Sequence, residues 1–477
     1  MESYNDIKKF ILKIENDFPV NNWTVNDIHL WPYIRIRLFF HFINIIEGLD
    51  TNNGTTVNYQ SRIKKNYLKY YKKKIKQKIK PYYKFYIYNK WIYALEHKEY
   101  FFLGADAHRV NFKGKRYNRY FDTLIEKNNW FTKSFFLEYN SCLKDQFNSS
   151  ILYKVEDFYE GFKFTFKNKT TIINLNGYDD FILHLKTIDT ANQFTENYSR
   201  DKIISWVHKE FLPKKAFFET VLKKVKPSKA FILCYYSQNI FPFTAAANNL
   251  GIETIEMQHG PQADTHLCYG SWFNLPEKGY IMLPKTYWCW DSYSMDIIND
   301  WANSSEIYKV KISGNPWIDF WKSKAQAYKF KDYILYTLQP EPNTLEQMFC
   351  KNIVDLIKKL DYKWFIRLHP RQLHQLNKVR ELLKFYNIEE KVNLEQATND
   401  PLPQILLNTK LHITHTSGST LEASYFNVKT LLINSVGLEY YPHLIKNNLA
   451  SYIDYEDVDF IKKVKLIING LDDGINR

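Results

Sequence analysis

Short apolar runs alternate with stretches of helical periodicity through most of this chain, and the alternation sets the expected fold class. The first run, Tyr100-Phe101-Phe102-Leu103-Gly104, ends on a small residue and reads as a buried strand. Further strands are expected at Thr171–Leu175, Ala230–Tyr236 and Glu253–Met257, with a helix over Phe243–Leu250 that Gly251 stops. Strand, helix, strand in that order makes a βαβ unit. A second series opens near Tyr287, with strands at Tyr287–Trp290, Lys309–Ile312, Tyr333–Tyr336, Trp364–Leu368, Leu411–Thr414 and Thr430–Ile433. Helical stretches such as Thr344–Leu360 and Leu373–Tyr386 separate these strands, and a last helix falls near 457–470. Before Glu99 the texture differs: IKKFILKI and HLWPYIRIRLFFHFINII carry apolar residues at helical spacing, until EGLDTNNGTTVN breaks the pattern. The expectation is an α/β chain with a helical N-terminal extension and two facing Rossmann-type, doubly wound domains with a cleft between them. Residues 1–98 form the helical, basic region attached to a first domain at 99–284, and a second domain spans 285–477, with a hinge near 276–288.

Composition adds limits rather than a new picture. At 477 residues, 45% of them hydrophobic, the chain is longer than a single core usually grows, which agrees with two domains. Cys142, Cys234, Cys268, Cys289 and Cys350 stand singly, without the paired spacing of a zinc site or a disulfide framework, so a reducing compartment is expected. The opening MESYNDIKKFILKIENDF lacks the apolar stretch of a signal peptide, and no run approaches the roughly 18–20 apolar residues of a membrane span. A cytoplasmic protein follows, soluble or peripheral at the inner face of the membrane. The net charge of +14 is concentrated between Arg62 and Lys90, where lysines mix with Tyr, Ile, Phe and Trp. That segment reads either as a solvated basic helix or as a surface for anionic lipid headgroups. Nucleic acid is not expected, because no signature of such binding accompanies the charge.

Ligands of open parallel sheets bind beyond the C-terminal ends of the strands, and the candidate motifs sit there. In KWFIRLHPRQ, a strand delivers His369 to that end beside Arg367 and Arg371, which suits a phosphate; the competing reading is a histidine that caps the next helix. In LHITHTSGSTLEASYF, the string His415-Thr416-Ser417-Gly418-Ser419-Thr420-Leu421-Glu422 offers hydroxyls and backbone N–H groups to a phosphate and Glu422 to ribose hydroxyls. Ordinary helix capping is the alternative for these residues. Thr337 and Gln339 follow the strand YIL and would lie beside the same ligand. In the first domain, Glu256-Met257-Gln258-His259-Gly260-Pro261 places His259 at a strand end as a candidate general base, a role its ordinary pKa suits. The loop Gly104–Arg109 offers Asp106 as the rival base, with His108, Arg109 and Arg116 available to an anionic acceptor; Asp264 and His266 lie near His259 in sequence.

These strings resemble a known group. Arg367-Leu368-His369-Pro370 together with Ser417–Glu422 is similar to the donor-binding domain of GT-B-fold glycosyltransferases. More narrowly, it resembles that of bacterial enzymes of capsule and lipopolysaccharide assembly: sialyl-, polysialyl- and Kdo transferases, and CDP-glycerol glycerophosphotransferases. Ser417-Gly418-Ser419-Thr420-Leu421-Glu422-Ala423 followed by Val428–Ile433 is also similar to the nucleotide-binding segment of UDP-N-acetylglucosamine 2-epimerases. Ile312-Ser313-Gly314-Asn315-Pro316 resembles the G-N-P turn that opens the C-terminal domain of such enzymes, which would add Gly314 and Asn315 to the donor site. A His-Gly in the glycerophosphotransferases implies the catalytic role for His259, whereas inverting GT-B enzymes that use a carboxylate imply Asp106. The resemblance implies a glycosyltransferase moving a sugar from a nucleotide-sugar, CMP favoured over UDP, to a saccharide or lipid-linked saccharide acceptor in surface-polysaccharide synthesis. A polyol-phosphate transferase, a UDP-sugar epimerase and a non-catalytic assembly scaffold remain open. The chain has no H-E-x-x-H, G-x-S-x-G or Walker loop, and no D-x-D element in a sugar-transferase setting. A metal-independent reaction without cofactor is therefore expected.

Overall fold

The structure, a computed structural model, describes residues 1, 3–48, 67–141, 144–167, 171–323, 332–339 and 344–475. Seven strands form one parallel sheet: β1 (Tyr100–Ala105), β2 (Ser134–Tyr139), β3 (Leu152–Lys154), β4 (Lys229–Ile232), β5 (Glu253–Met257), β6 (Thr286–Cys289) and β7 (Lys309–Ile312). Their spatial order is 3-2-1-4-5-6-7, so the winding reverses between β1 and β4, as in doubly wound sheets. β2 has no counterpart among the strands expected from sequence. Its run SFFLEY is buried at every position, and Glu138 within it disguises a core strand as a polar one. The expected strand near Thr171–Leu175 is instead the short Ile173–Asn174, which joins Thr24–Val25 and Ile28–His29 in a separate antiparallel sheet.

β6 and β7 correct the expected domain division. β6 runs parallel beside β5 and β7 beside β6, so they complete the first sheet rather than opening a second one. The first unit extends to Gly314, and the second begins at Asn315, about thirty residues beyond the boundary expected at 284–285. The segments Val110–Lys115 and Gly260–Thr265 group with the second unit.

The N-terminal helices belong to the first unit. Helices α1 (Tyr4–Asp17) and α2 (Trp31–Ile46) are joined by a buried pair in which Arg35 Nε lies 2.8 Å from Glu15. The same guanidinium donates to the carbonyls of Leu267, Gly270 and Ser271 and stacks 4.0 Å above Trp272. Helix α3 (Tyr67–Ala94) carries the described part of the basic segment; Arg62–Asn66 lie outside the described residues. Tyr82, Tyr83, Tyr86 and Tyr93 of α3 are exposed, while Tyr88, Trp91 and Ile92 are buried. Its partner is α4 (Val155–Thr165), and the two backbones meet at Gly161, where a Cβ would stand 2.3 Å from the Lys84 carbonyl oxygen. Helix α5 (Phe241–Asn249) covers the sheet between β4 and β5. Among the described residues, no helix is long and apolar enough to cross a membrane.

The second unit repeats the winding. Strands β8 (Tyr333–Thr337), β9 (Trp364–Arg367), β10 (Val392–Asn393), β11 (Thr409–Thr414), β12 (Thr430–Leu432) and β13 (Ala450–Tyr452) lie parallel in the order 10-9-8-11-12-13, with the reversal between β8 and β11. Successive residues of β8 alternate between two cores, as a strand buried on both faces requires. Ile334 and Tyr336 pack with Trp364, Ile366 and Leu411, whereas Tyr333 and Leu335 pack with Phe365 and Ile405. Helix α6 (Ser419–Tyr425) lends Ala423 to the second core, and the C-terminal helix α7 (Phe460–Ile475) lends Phe460, Val464 and Ile468 to the first. The chain is thus α/β, with two doubly wound parallel sheets.

The α3–α4 crossing leaves no room for a methyl group at Gly161. Gly161→Ala should lower the unfolding free energy by about 1–3 kcal/mol in chemical denaturation, the usual cost of overpacking. A variant as stable as the wild type would contradict this crossing.

Candidate functional site

A doubly wound sheet opens a crevice where its winding reverses, because neighbouring strand ends lead into connections on opposite faces. In the first unit, β1 leads there to Asp106–His108 and β4 leads to Cys234, with His259 two residues beyond β5. The expected strand Ala230–Tyr236 in fact stops at Ile232, and Cys234 takes φ +54°, a left-handed conformation uncommon outside glycine. Its Sγ lies 2.9 Å from His259 Nε2 and 3.7 Å from His108 Nε2. Tyr236 Oη is 3.3 Å from the same His259 nitrogen, and Tyr120 donates to the His259 carbonyl at 3.0 Å. On the other side of the ring, Nδ1 is 3.6 Å from Glu256 Oε1. Glu256 is fully buried in β5; it accepts the Tyr235 N–H at 3.2 Å and the Tyr269 hydroxyl at 3.1 Å.

The environment decides what these groups do. Burial pushes His259 down, but the Cys234 sulfur and the Glu256 carboxylate outweigh it and raise the imidazole to about 10. His259 is therefore an imidazolium at neutral pH, which changes its expected role: it arrives as a proton donor and a fixed positive charge, not as a free base. Burial raises Glu256, and His259 and its hydrogen-bond donors partly offset that rise. His108 goes the other way, to about 3, through burial and the nearby His259 charge, and stays neutral.

Several other expected contacts prove structural. Arg109 is buried, with Nε 2.8 Å from Glu138 and Nη1 3.2 Å from Asp122; it neutralises two core carboxylates and does not hold an acceptor. Arg116 Nη2 sits 2.5 Å from Asp106 Oδ2, and Gln146 donates to Oδ1 of the same carboxylate at 3.5 Å. The rival base is thus engaged by a cation, and that cation is engaged by it. His266 packs among Tyr236, Tyr269 and Phe39, and burial lowers it to about 4. Asp264 is exposed and groups with the second unit. Gly314 takes φ +68°, which favours glycine there, and Asn315 Oδ1 accepts from the Trp317 and Ile318 N–H groups; Asn315 is a helix cap rather than a ligand contact.

In the second unit, the reversal lies between the ends of β8 and β11, and the loops after them are locked together. Gln339 accepts the Thr416 N–H at 2.6 Å, donates to Thr416 Oγ1 at 3.0 Å, and its carbonyl accepts from Gln372 at 2.6 Å. Thr337 and Ser419, expected to touch the donor, turn inward. Their hydroxyls lie 3.0 Å apart and 2.9 and 3.2 Å from Nε2 of the buried His412. His412 Nδ1 meets Thr430 at 2.9 Å, and burial lowers the ring to about 3. Arg367 Nη1 holds the carbonyls of Ala397 and Asp400 at 2.6 Å each, a structural clamp. His369 caps the following turn: Nδ1 accepts from Arg371 N–H at 3.1 Å, which leaves the ring proton on Nε2. Ser417 Oγ accepts from Ser419 N–H at 3.3 Å, and Gly418 keeps an ordinary helical φ of −57°. Thr420 and Glu422 are buried in the first turn of α6.

His415 stands apart from this network. It is 1% exposed, burial lowers it to about 4, and neither ring nitrogen has a hydrogen-bond partner among the described residues. An unsatisfied buried polar group costs about 1–3 kcal/mol, which a ligand at the strand end would relieve. A neutral imidazole offers one donor and one acceptor. Sequence reasoning reached His415 only as part of its string and missed Cys234 and Glu256 as site residues. The signal for Glu256 is a carboxylate inside the apolar run ETIEM.

No protein-family model matches the chain, and no curated protein matches it. Solved structures do. A UDP-GlcNAc 2-epimerase from Methanocaldococcus jannaschii is 14% identical over 78% of this chain and 92% of its own, with a TM-score of 0.45. S. aureus MnaA in its UDP co-structure is 15% identical over 78% and 88%, with a TM-score of 0.46. The glycotransferase of kitacinnamycin is 9% identical over 78% and 90%, with a TM-score of 0.43. Identities and scores of this size carry no argument about this chain.

Two measurements check the site. In a histidine NMR titration, His259 should stay protonated through neutral pH and lose its proton near 10, while His412 and His415 stay neutral down to acid pH. The stability that the His259 pairing contributes is full below the ordinary imidazole value of 6.5 and is lost as pH rises through about 10. Arg109→Ala should cost about 3–5 kcal/mol in unfolding free energy, because it strands two buried carboxylates. A stable Arg109→Ala protein with weakened acceptor binding would restore the ligand role.

Proposed function

We propose that the chain is a nucleotide-sugar glycosyltransferase in which the second unit holds the nucleotide of the donor. The observation that carries this reading is His415: a buried, neutral imidazole with both nitrogens unpartnered, at the strand end beside the winding reversal. One donor and one acceptor suit a pyrimidine edge or ribose hydroxyls, while the backbone of the Thr416–Gly418 loop and Nε2–H of His369 suit the phosphates. In the transfer, the bond from the anomeric carbon to the phosphate oxygen breaks with its electron pair on the phosphate, and the acceptor oxygen bonds to that carbon. The proton of the acceptor hydroxyl passes to a general base, and the N–H groups of the Thr416–Gly418 loop stabilise the phosphate anion that develops. No metal takes part in this scheme. The motif resemblance supports a place in bacterial surface-polysaccharide assembly, with CMP ahead of UDP as the nucleotide.

A UDP-sugar epimerase is the second reading. His259 and His108, in opposite protonation states with ring centroids 6.1 Å apart, form a proton donor and a proton acceptor of the kind needed to take a proton off a sugar carbon and return it.

Thermal shifts with CMP, CDP, UDP and GDP test the nucleotide site, since a ligand stabilises the fold according to its affinity. One pyrimidine nucleotide should raise the midpoint, and His415→Ala should abolish that shift while leaving the unliganded midpoint within a few degrees. Stabilisation by none of the four would overturn the reading. With the nucleotide known, donor consumption that requires an added saccharide and persists in EDTA identifies the transferase; interconversion of free UDP-sugars without acceptor identifies the epimerase.

A further inference from the structure

We propose that Cys234 is a nucleophile, its sulfur held in a Glu256–His259–Cys234 relay for reaction with a carbon electrophile that carries a leaving group. Neither half of the nucleotide-sugar reading requires this, and it is read on the protein alone.

Three observations converge on the sulfur. The first is the contact itself: His259 Nε2 is 2.9 Å from Sγ, and the far nitrogen of the same ring is 3.6 Å from the buried Glu256 carboxylate. Cysteine, imidazole and an orienting carboxylate in that sequence form the arrangement by which proteins activate a thiol. The second is the backbone. Cys234 takes φ +54° in the turn between β4 and α5, so the chain accepts a strained conformation where a glycine would sit without cost. The third is selective access. Cys234 is half-buried at the winding reversal, whereas Cys268 and Cys289 are sealed in the core. Burial pushes the Cys268 thiol well up and the Cys289 thiol to about 12, so neither competes.

The reaction balances without a further reagent. Sulfur and imidazole face each other across 2.9 Å, and as the S–C bond forms the thiol proton is left on His259, beside the Glu256 carboxylate at 3.6 Å. The sulfur electron pair forms the S–C bond, the bond from carbon to the leaving group breaks, and the leaving group departs with that pair. The imidazolium keeps that proton once the bond has formed. His259 and Glu256 are positioning residues in this step, since neither touches the electrophile.

Iodoacetamide is the probe, with peptide mass mapping to assign each alkylated cysteine on the folded, full-length protein at neutral pH. Cys234 should be alkylated at least about ten-fold faster than the half-buried Cys350, with iodide released in equal amount. His259→Gln and Glu256→Gln should each slow Cys234 markedly and leave Cys350 unchanged. Continued protection of Cys268 and Cys289 shows that each variant is folded. A Cys234 rate no greater than that of Cys350 in the wild type overturns the proposal, whatever the variants do. So does an unchanged Cys234 rate in a folded His259→Gln protein.

Discussion

Glu256 has no exposure to solvent, in the middle of a parallel sheet. A bare carboxylate there would cost several kcal/mol, so the surroundings have to supply hydrogen bonds and a positive charge. Tyr235 and Tyr269 supply the first, and His259 supplies the second. The rest of the first unit's candidate chemistry follows from that requirement. An imidazole recruited to balance Glu256 is held charged, its other nitrogen is aimed at Cys234, and its charge adds to the burial that keeps His108 neutral. Replacing the carboxylate would therefore alter three side chains at once.

The sheet winding explains why these groups share an edge. Both sheets reverse between their first and fourth strands in chain order, and the reversal places the ends of β1 and β4, and of β8 and β11, beside connections that diverge. In the first unit that edge carries a charged relay. In the second it carries a neutral histidine and a loop pinned by Gln339.

Much of this architecture is legible in the sequence, because buried parallel strands are largely apolar; Glu253–Met257 falls where it is expected, and so does the mostly exposed edge strand Lys309–Ile312, whose residues alternate. The errors have physical causes. β6 and β7 look like the start of a new domain, since periodicity marks strands but not their neighbours. β2 is hidden by Glu138, whose charge is cancelled by Arg109 from a distant position. At the site, sequence reading puts several residues next to strand ends but misses where the strand before Cys234 stops and the direction of each side chain. Ser419, Thr337, Arg367 and Asn315 all hydrogen-bond to other groups of the protein. Cys234 reads as part of a strand because AFILCYY has no breaker, although the chain turns there.

The account rests most heavily on a nucleotide occupying the strand ends of the second unit. A crystal structure of the protein with the nucleoside diphosphate that best stabilises it tests this most directly. The account predicts base or ribose atoms within hydrogen-bond distance of a His415 nitrogen and phosphate oxygens on the N–H groups of the Thr416–Gly418 loop. A nucleotide bound elsewhere, with His415 still lacking a partner or satisfied by protein alone, would contradict it.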